Sequence, residues 1–574
     1  MAPLTSVSLA PPAYVSGNNS PTKGMANTIN LLNNRLTTAF TRFAHPPSSS
    51  SSSSSSSGSS DSSVQSTGLV DLSHIGMTTE TATSVAPLAL AELTRYTAID
   101  VLVLSCNSIG DSGLQLFLSV LSSVIGSISS LEMFDVGMSD VFIPALLKLL
   151  HRYPKVSRLK IGDNHITHSG MATLVGINGA AFPSTLTQLH LGGNVLGDEG
   201  VYHLSQALRQ SSNNVAFLGL RNVGMTVRGL SYLADAVAHT PSRLTELQLR
   251  DNDFTGATKE LSNIVSFCSA LSLLDVSNTN LTNDALLPLL DTLTAKPTHM
   301  KELILSKNEF DRKSSLAVRA YLLTYQCRLS TLDVSKMTTG HVSDLFIPLL
   351  EGIIGNRSVT SLNLSGNCLE GPAGEAAALA AGRKLRLHTL NLSGCSLGPS
   401  EMSNMFDALA SNISQLKSLV VSNNLGGEEC VPSLCRLMSF NTHLTKLEFQ
   451  DNNITSVASM MEVGTSLLNG STSMRNCRFG GQSATANVAS PAIRLLFKDA
   501  LAPGRATRTA VSYLKHNHPK AFWESNWPTN QQQEGAADAW FRCTPTGEIR
   551  VVSPFALSLD MHCRWLGSDH SMVV

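Results

Sequence analysis

The sequence predicts an α/β solenoid in which a strand, a turn and a helix recur about fourteen times, at about 29 residues per unit. Three observations predict it. A pattern of the form LxxLxLxxN, followed two positions on by another apolar residue, returns along most of the chain. Its second strand position falls at 72, 104, 136, 161, 191, 220, 249, 276, 305, 334, 364, 392, 421 and 449, so thirteen intervals average 29 residues. Between copies, the residues read as a Gly- and Asp-rich turn and then an amphipathic helix.

The elements follow in chain order. Residues 1–66 are biased toward Pro and Ser and end in the run Ser48–Ser57. Such a tract buries nothing apolar and cannot offset its ordering entropy, so disorder is expected. Within it Ile29, Leu32, Leu36, Phe40 and Phe43 keep helical spacing, which predicts an amphipathic helix over 27–44. No acidic residue precedes Asp61. Three readings of that helix stand: an organelle-targeting signal, a partner- or lipid-docking helix, or a helix packed on the first repeat. MAPLTSVSLAPPAYVSG has no basic region followed by an apolar run, so a secretory signal is not expected.

The repeat region spans 67–475. Clear copies are IDVLVLSCNSI (99–109), VSRLKIGDNHI (156–166), LTQLHLGGNVL (186–196), LTELQLRDNDF (244–254) and VTSLNLSGNCL (359–369). Weaker ones include LEMFDVGMSDV (131–141) and VAFLGLRNVGM (215–225). Two leucines of each strand should point inward and the residues between them outward. The Asn should satisfy backbone groups of the turn that would otherwise be buried unpaired. GDSG (110–113) and GDEG (197–200) read as turns, GVYHLSQALRQ and DALLPLLDTL as helices. The uncharged run from Gly113 to Leu131 has the length of a membrane span, but its serines and its place in the register assign it to a repeat's buried helix.

These copies resemble leucine-rich repeats of the ribonuclease-inhibitor-like subclass. The Asn position reads Asn194, Val223, Asn252, Thr279, Asn308, Met337, Asn367, Cys395 and Asn424, an alternation similar to the paired units of that inhibitor. The resemblance implies a horseshoe with a parallel sheet on its concave face, helices on its convex face, and a protein partner. NRSVTSLNLSGNCL and LHTLNLSGCSLGPSEMSNMFDAL look most like the CARMIL group of actin regulators. That implies a scaffold or adaptor, non-catalytic and cytoplasmic, with an actin or cytoskeletal association. The shared period also admits a regulator of a Ran-like small GTPase. The pleckstrin-homology domain and basic tail of the CARMIL group, the acidic tail of the Ran activator and the P-loop of NOD-like ATPases are not found in this sequence.

The remaining sequence bounds function further. Lys and Arg number 41 against 42 Asp and Glu, which gives no electrostatic case for nucleic acid or an anionic membrane. Ten scattered cysteines without a CxxC pair read as reduced thiols. GxSxG is absent, and Cys543, His562 and Cys563 lack four-ligand zinc spacing, so no enzyme, metal or other cofactor is expected. The position after the second strand anchor in the eighth to thirteenth repeats is Ser277, Ser306, Ser335, Ser365, Ser393 and Ser422, a lining that offers little binding energy. The earlier repeats present Arg158, Lys160, Asp163, His190, Arg221, Glu246, Gln248, Arg250 and Asp251, the candidate partner-binding residues. The segment 476–574 holds all four tryptophans. A helix over 491–515 and a hairpin, AWFRC-TPTG-EIRVV, are expected there, as a cap for the last repeat or a small docking module.

Overall fold

The computed structural model describes residues 68–82, 98–124, 126–176, 183–210, 212–239, 242–337, 343–383, 386–470, 473–479, 540–543 and 549–552. The helices expected at 27–44 and 491–515 lie outside them. The chain divides into two compact units between Val215 and Ala216. In the first, β1 (Gly68–Asp71), β2 (Ala98–Val103), β3 (Ser127–Glu132), β4 (Arg158–Lys160) and β5 (Gln188–His190) pair in chain order, all parallel.

The second unit continues the same logic. Its strands are β6 (Phe217–Gly219), β7 (Glu246–Gln248), β8 (Leu273–Asp275), β9 (Glu302–Ile304) and β10 (Thr331–Asp333), then β11 (Ser361–Asn363), β12 (Thr389–Asn391), β13 (Ser418–Val420), β14 (Lys446–Glu448) and β15 (Asn476–Arg478). They too pair in chain order and in parallel. Parallel neighbours need a crossover, and here the described crossovers each carry an α-helix, such as Asn283–Ala295 between β8 and β9, preceded in three of them by a 3-10 turn at Asp140–Phe142, Ser343–Phe346 and Glu428–Cys430. Trp540–Cys543 pairs antiparallel with Ile549–Val552, the hairpin that the TPTG turn predicts.

The core lies between the sheet and the helices. Every three-residue strand but β15 buries its central residue, as Leu159, Leu189, Leu247, Leu274, Leu362 and Leu447 show at 0–1% exposure, while Cys477 of β15 is half-buried. Helix residues such as Leu204, Leu289, Leu290 and Phe406 close over them. Neighbouring units share this core, with Phe310 stacked on Phe346 at 5.7 Å and Phe406 tilted on Phe449 at 5.8 Å between centroids. A single unit could not bury its apolar face, so its stability comes from its neighbours.

Helices start where turns were expected. GDSG and GDEG form the first turns of Gly110–Val124 and Gly197–Leu208. Their Asp111, Asp198 and Glu199 complement the positive end of the helix dipole.

The register differs from the sequence reading in one repeat. Leu131 pairs with Leu159 and Glu132 with Lys160, which puts the second strand anchor of the third repeat at Met133 instead of 136. The uncharged run 113–131 is accordingly part helix, to Val124, and part strand, from Ser127. A fifteenth strand, β15, also follows the fourteen expected anchors.

The asparagines explain the alternation. Asn252 Oδ1 accepts the Val223 and Met225 N–H groups at 3.1 Å each, and its Nδ2 donates to Leu220 O at 2.8 Å and Leu249 O at 2.7 Å. Asn164, Asn308 and Asn424 bond backward in the same way, onto Val136 and Met138, Thr279 and Leu281, and Cys395 and Leu397. One Asn thus satisfies the turn of the preceding unit as well as its own. That frees the preceding unit to carry Val136 or Val223 at the same position. Thr279 and Cys395 keep a donor there, bonded to Val276 O and Leu364 O.

Candidate functional site

On each strand, the two residues flanking the buried centre face away from the helices. Of the nine candidate residues, Arg158, Lys160, Asp163 and His190 fall in the first unit and Arg221, Glu246, Gln248, Arg250 and Asp251 in the second.

In the first unit, the register sets Glu132, Lys160 and His190 side by side on β3, β4 and β5, with Arg158 beside Gln188. Lys160 Nζ lies 3.0 Å from Glu132 Oε1. Burial and then the positive charge of Lys160 pull the His190 imidazole down to about 4, so it is neutral near pH 7. Just beyond β3, Phe134 meets His190 edge-on, 6.2 Å between centroids at 74°. Gly162 makes room for that ring, since a Cβ there would stand 2.5 Å from Phe134 Cε1 and 2.6 Å from Gly192 O. Asp163 is exposed in the following loop with φ +53°. The cluster therefore offers an aromatic ring, a neutral imidazole, a guanidinium and an ion pair on one face.

Glu132 and Phe134 were missed by the sequence reading because the third repeat was placed three residues late. Moving its anchor to Met133 turns both residues outward.

In the second unit, Glu246 and Gln248 flank Leu247 on β7 and are half-buried. Arg250 is exposed, its Nε 3.8 Å from Asp251 Oδ2. Asp251 also accepts Asn278 Nδ2 at 2.8 Å and lines a shallow pocket of about 320 Å³ with Asn222, Thr226, Asp253 and Asn280. Arg221 sits half-buried one residue before Asn222.

The serine lining holds more than the sequence suggests. Ser277 and Ser335 donate to Asp275 and Asp333 at 2.6 Å each, so the face at β8 and β10 carries carboxylates among its hydroxyls. Among the described residues, no group of three or more His, Cys, Asp or Glu could hold a metal ion, and no helix is long and apolar enough to cross a membrane.

Comparison with known proteins agrees with this architecture. The family profile described as Leucine Rich repeat matches residues 100–118, 183–205, 355–376 and 440–458. The chain is 29% identical to the ribonuclease inhibitor of Mus musculus over 313 residues, 53% of this chain and 66% of that protein. It is 26% identical to the ribonuclease inhibitor of Sus scrofa over 366 residues, 58% of this chain and 78% of that protein. Among solved structures, an internalin from Listeria monocytogenes aligns over 70% of this chain and 94% of its own at 17% identity, with a TM-score of 0.38. The 29-residue period, the shared asparagine turns and these relatives together describe a leucine-rich repeat solenoid similar to the ribonuclease inhibitors.

Proposed function

We propose that the chain is a non-catalytic scaffold or adaptor that receives a protein partner on its sheet face, with the β3–β5 face of the first unit as the main contact. Repeat solenoids present extended faces of this kind to other proteins. The observation that carries the proposal is Phe134 lying over Gly162 against His190, beside Arg158 and the Lys160–Glu132 pair. Aromatic rings and arginines are the side chains that anchor protein interfaces, and a fixed ion pair beside them selects partners more than it adds affinity.

Phe134→Ala and Arg158→Ala test this in quantitative pull-downs from the native cell. Tyr325→Ala serves as control, since Tyr325 is 94% exposed beyond the helix Arg312–Leu323. Loss of an anchor costs about 2 kcal/mol or more, roughly thirtyfold in affinity. Partner recovery that is unchanged in both variants would remove this face from consideration. A cytoskeletal setting rests on the likeness of 356–369 and 387–409 to the CARMIL group, and co-sedimentation with actin filaments tests it.

A further inference from the structure

The balance of 41 Lys and Arg against 42 Asp and Glu over the whole chain conceals a segregation of charge in the second unit. Its strands are parallel and in register, so the turns that lead from each helix into the next strand lie in a row along one side of the sheet. Backbone bonds of 2.8–2.9 Å tie that row together, the Ser330 amide donating to Lys301 O, Lys417 to His388 O and Arg475 to Thr445 O. These entry turns, 296–301, 324–330, 356–360, 384–388, 411–417, 441–445 and 470–475, hold eight Lys or Arg and no Asp or Glu. The turns that leave the strands on the other side carry acids, among them Asp251, Asp253, Glu309, Glu370, Glu428 and Asp451.

Lys301, Arg328, Arg357, Arg386, Lys417 and Arg475 of the entry turns are all exposed. Among the described residues none of the six forms an ion pair. Large apolar side chains stand among them. Phe267, Leu323, Ile354 and Phe440 come from the last turns of their helices and Tyr325 and Ile413 from the entry turns, each 37–94% exposed. Asn412 ties two of these turns together, its Nδ2 donating to Phe440 O at 2.8 Å and its Oδ1 accepting the Thr442 amide at 2.9 Å. Cations placed after a helix C-terminus complement its dipole, which accounts for the charge. It does not account for the apolar side chains, because holding a row of them in water is unfavourable unless something covers it.

We propose that this entry side of the second unit docks on an anionic lipid membrane. Its unpaired cations meet the lipid headgroups, while Tyr325, Ile413 and Phe440 enter the boundary between headgroups and acyl chains. Cations draw a surface toward an anionic leaflet, and apolar side chains beside them add burial that charge alone does not supply. The mixture favours a membrane over nucleic acid. Leucine and isoleucine gain nothing from phosphates or from base stacking, but they do gain from acyl chains. The proposal uses none of the β3–β5 residues. A lipid contact at Tyr325 adds no protein, so that residue stays a control for the sheet face.

The test is sedimentation of the full chain with phosphatidylcholine vesicles, with and without one third phosphatidylserine. The chain should sediment with the mixed vesicles and stay in solution with phosphatidylcholine alone. Arg328→Gln, Arg357→Gln and Arg386→Gln combined should weaken binding about a hundredfold, at roughly fivefold per cation. Ile413→Ser with Phe440→Ser keeps every charge and should weaken it at least about tenfold. Lys307→Gln with Lys336→Gln removes exposed cations from the turns that leave β9 and β10, and should leave binding as it is. All these positions are exposed, so the melting temperature should hold in each variant. Binding that survives the arginine changes comes from elsewhere in the chain and overturns the proposal, as does an equal loss in the Lys307 and Lys336 variant. Full binding by the serine variant overturns it too, and so does a chain that ignores both vesicles and binds an RNA oligonucleotide or polyglutamate instead.

Discussion

Asn308 gives the sharpest test of how the repeats hold together, through the substitution Asn308→Ala. The side chain is 1% exposed. It accepts the Thr279 and Leu281 amides at 3.2 and 3.0 Å and donates to Val276 O and Leu305 O at 2.8 and 2.9 Å. Removing it leaves the Thr279 and Leu281 amides and Leu305 O without that partner in a buried turn, while Val276 O keeps the Thr279 hydroxyl. At about 1 kcal/mol each the loss is about 3 kcal/mol, at the upper end of the usual range for one substitution. Met337→Leu, at the alternate site, keeps apolar volume and should cost less than about 1.5 kcal/mol. An array of repeats does not unfold in one step, so the assay is amide hydrogen exchange read by mass spectrometry, residue range by residue range. Three of the four bonds point back to the preceding unit, so exchange should accelerate at Thr279 and Leu281, by on the order of a hundredfold. Unchanged exchange there, or acceleration confined to the following unit near Val334, would refute the reasoning.

Two further outcomes follow from the first unit. The folded His190 titrates near 4 while an unfolded histidine takes its proton near 6.5, so between those values the unfolded state binds more protons and stability falls as pH falls. The half-buried ring limits this to on the order of 2 kcal/mol. An NMR titration should place the His190 midpoint well below 6, His190→Phe should flatten stability over pH 4 to 6.5, and a midpoint near 6.5 would contradict the account. Gly162→Ala puts a methyl group against Phe134 and the fixed Gly192 carbonyl, which should cost about 1–3 kcal/mol in thermal unfolding and displace the ring from the face. A variant as stable as the parent would show that Phe134 does not rest there.

Most of the solenoid is legible in the sequence because its spacing is a physical necessity. A strand must bury its centre, and a turn between parallel strands must find donors and acceptors for its backbone. Legibility failed where a landmark was replaced. The third repeat carries Val136 at the asparagine position, so its apolar residues run Ile128, Leu131, Met133, Val136, Met138, with nothing to mark where the strand ends. A shift of three residues fits that row almost as well, and it hid Glu132 and Phe134. β15 was missed because Met474, Cys477 and Phe479 stand where earlier repeats have leucines. Asn356 and Asn441 were not singled out, yet each caps the turn from helix to strand, donating to Leu322 O and Leu409 O and accepting two amides.

The central claim is that the β3–β5 face meets a protein. Photocrosslinking in the native cell tests it most directly, with benzoylphenylalanine in place of Phe134 and, separately, in place of Tyr325. The account predicts one discrete adduct from position 134, lost when Arg158→Ala is combined with it, and none from position 325. No adduct from 134, or the same adduct from both positions, would contradict it.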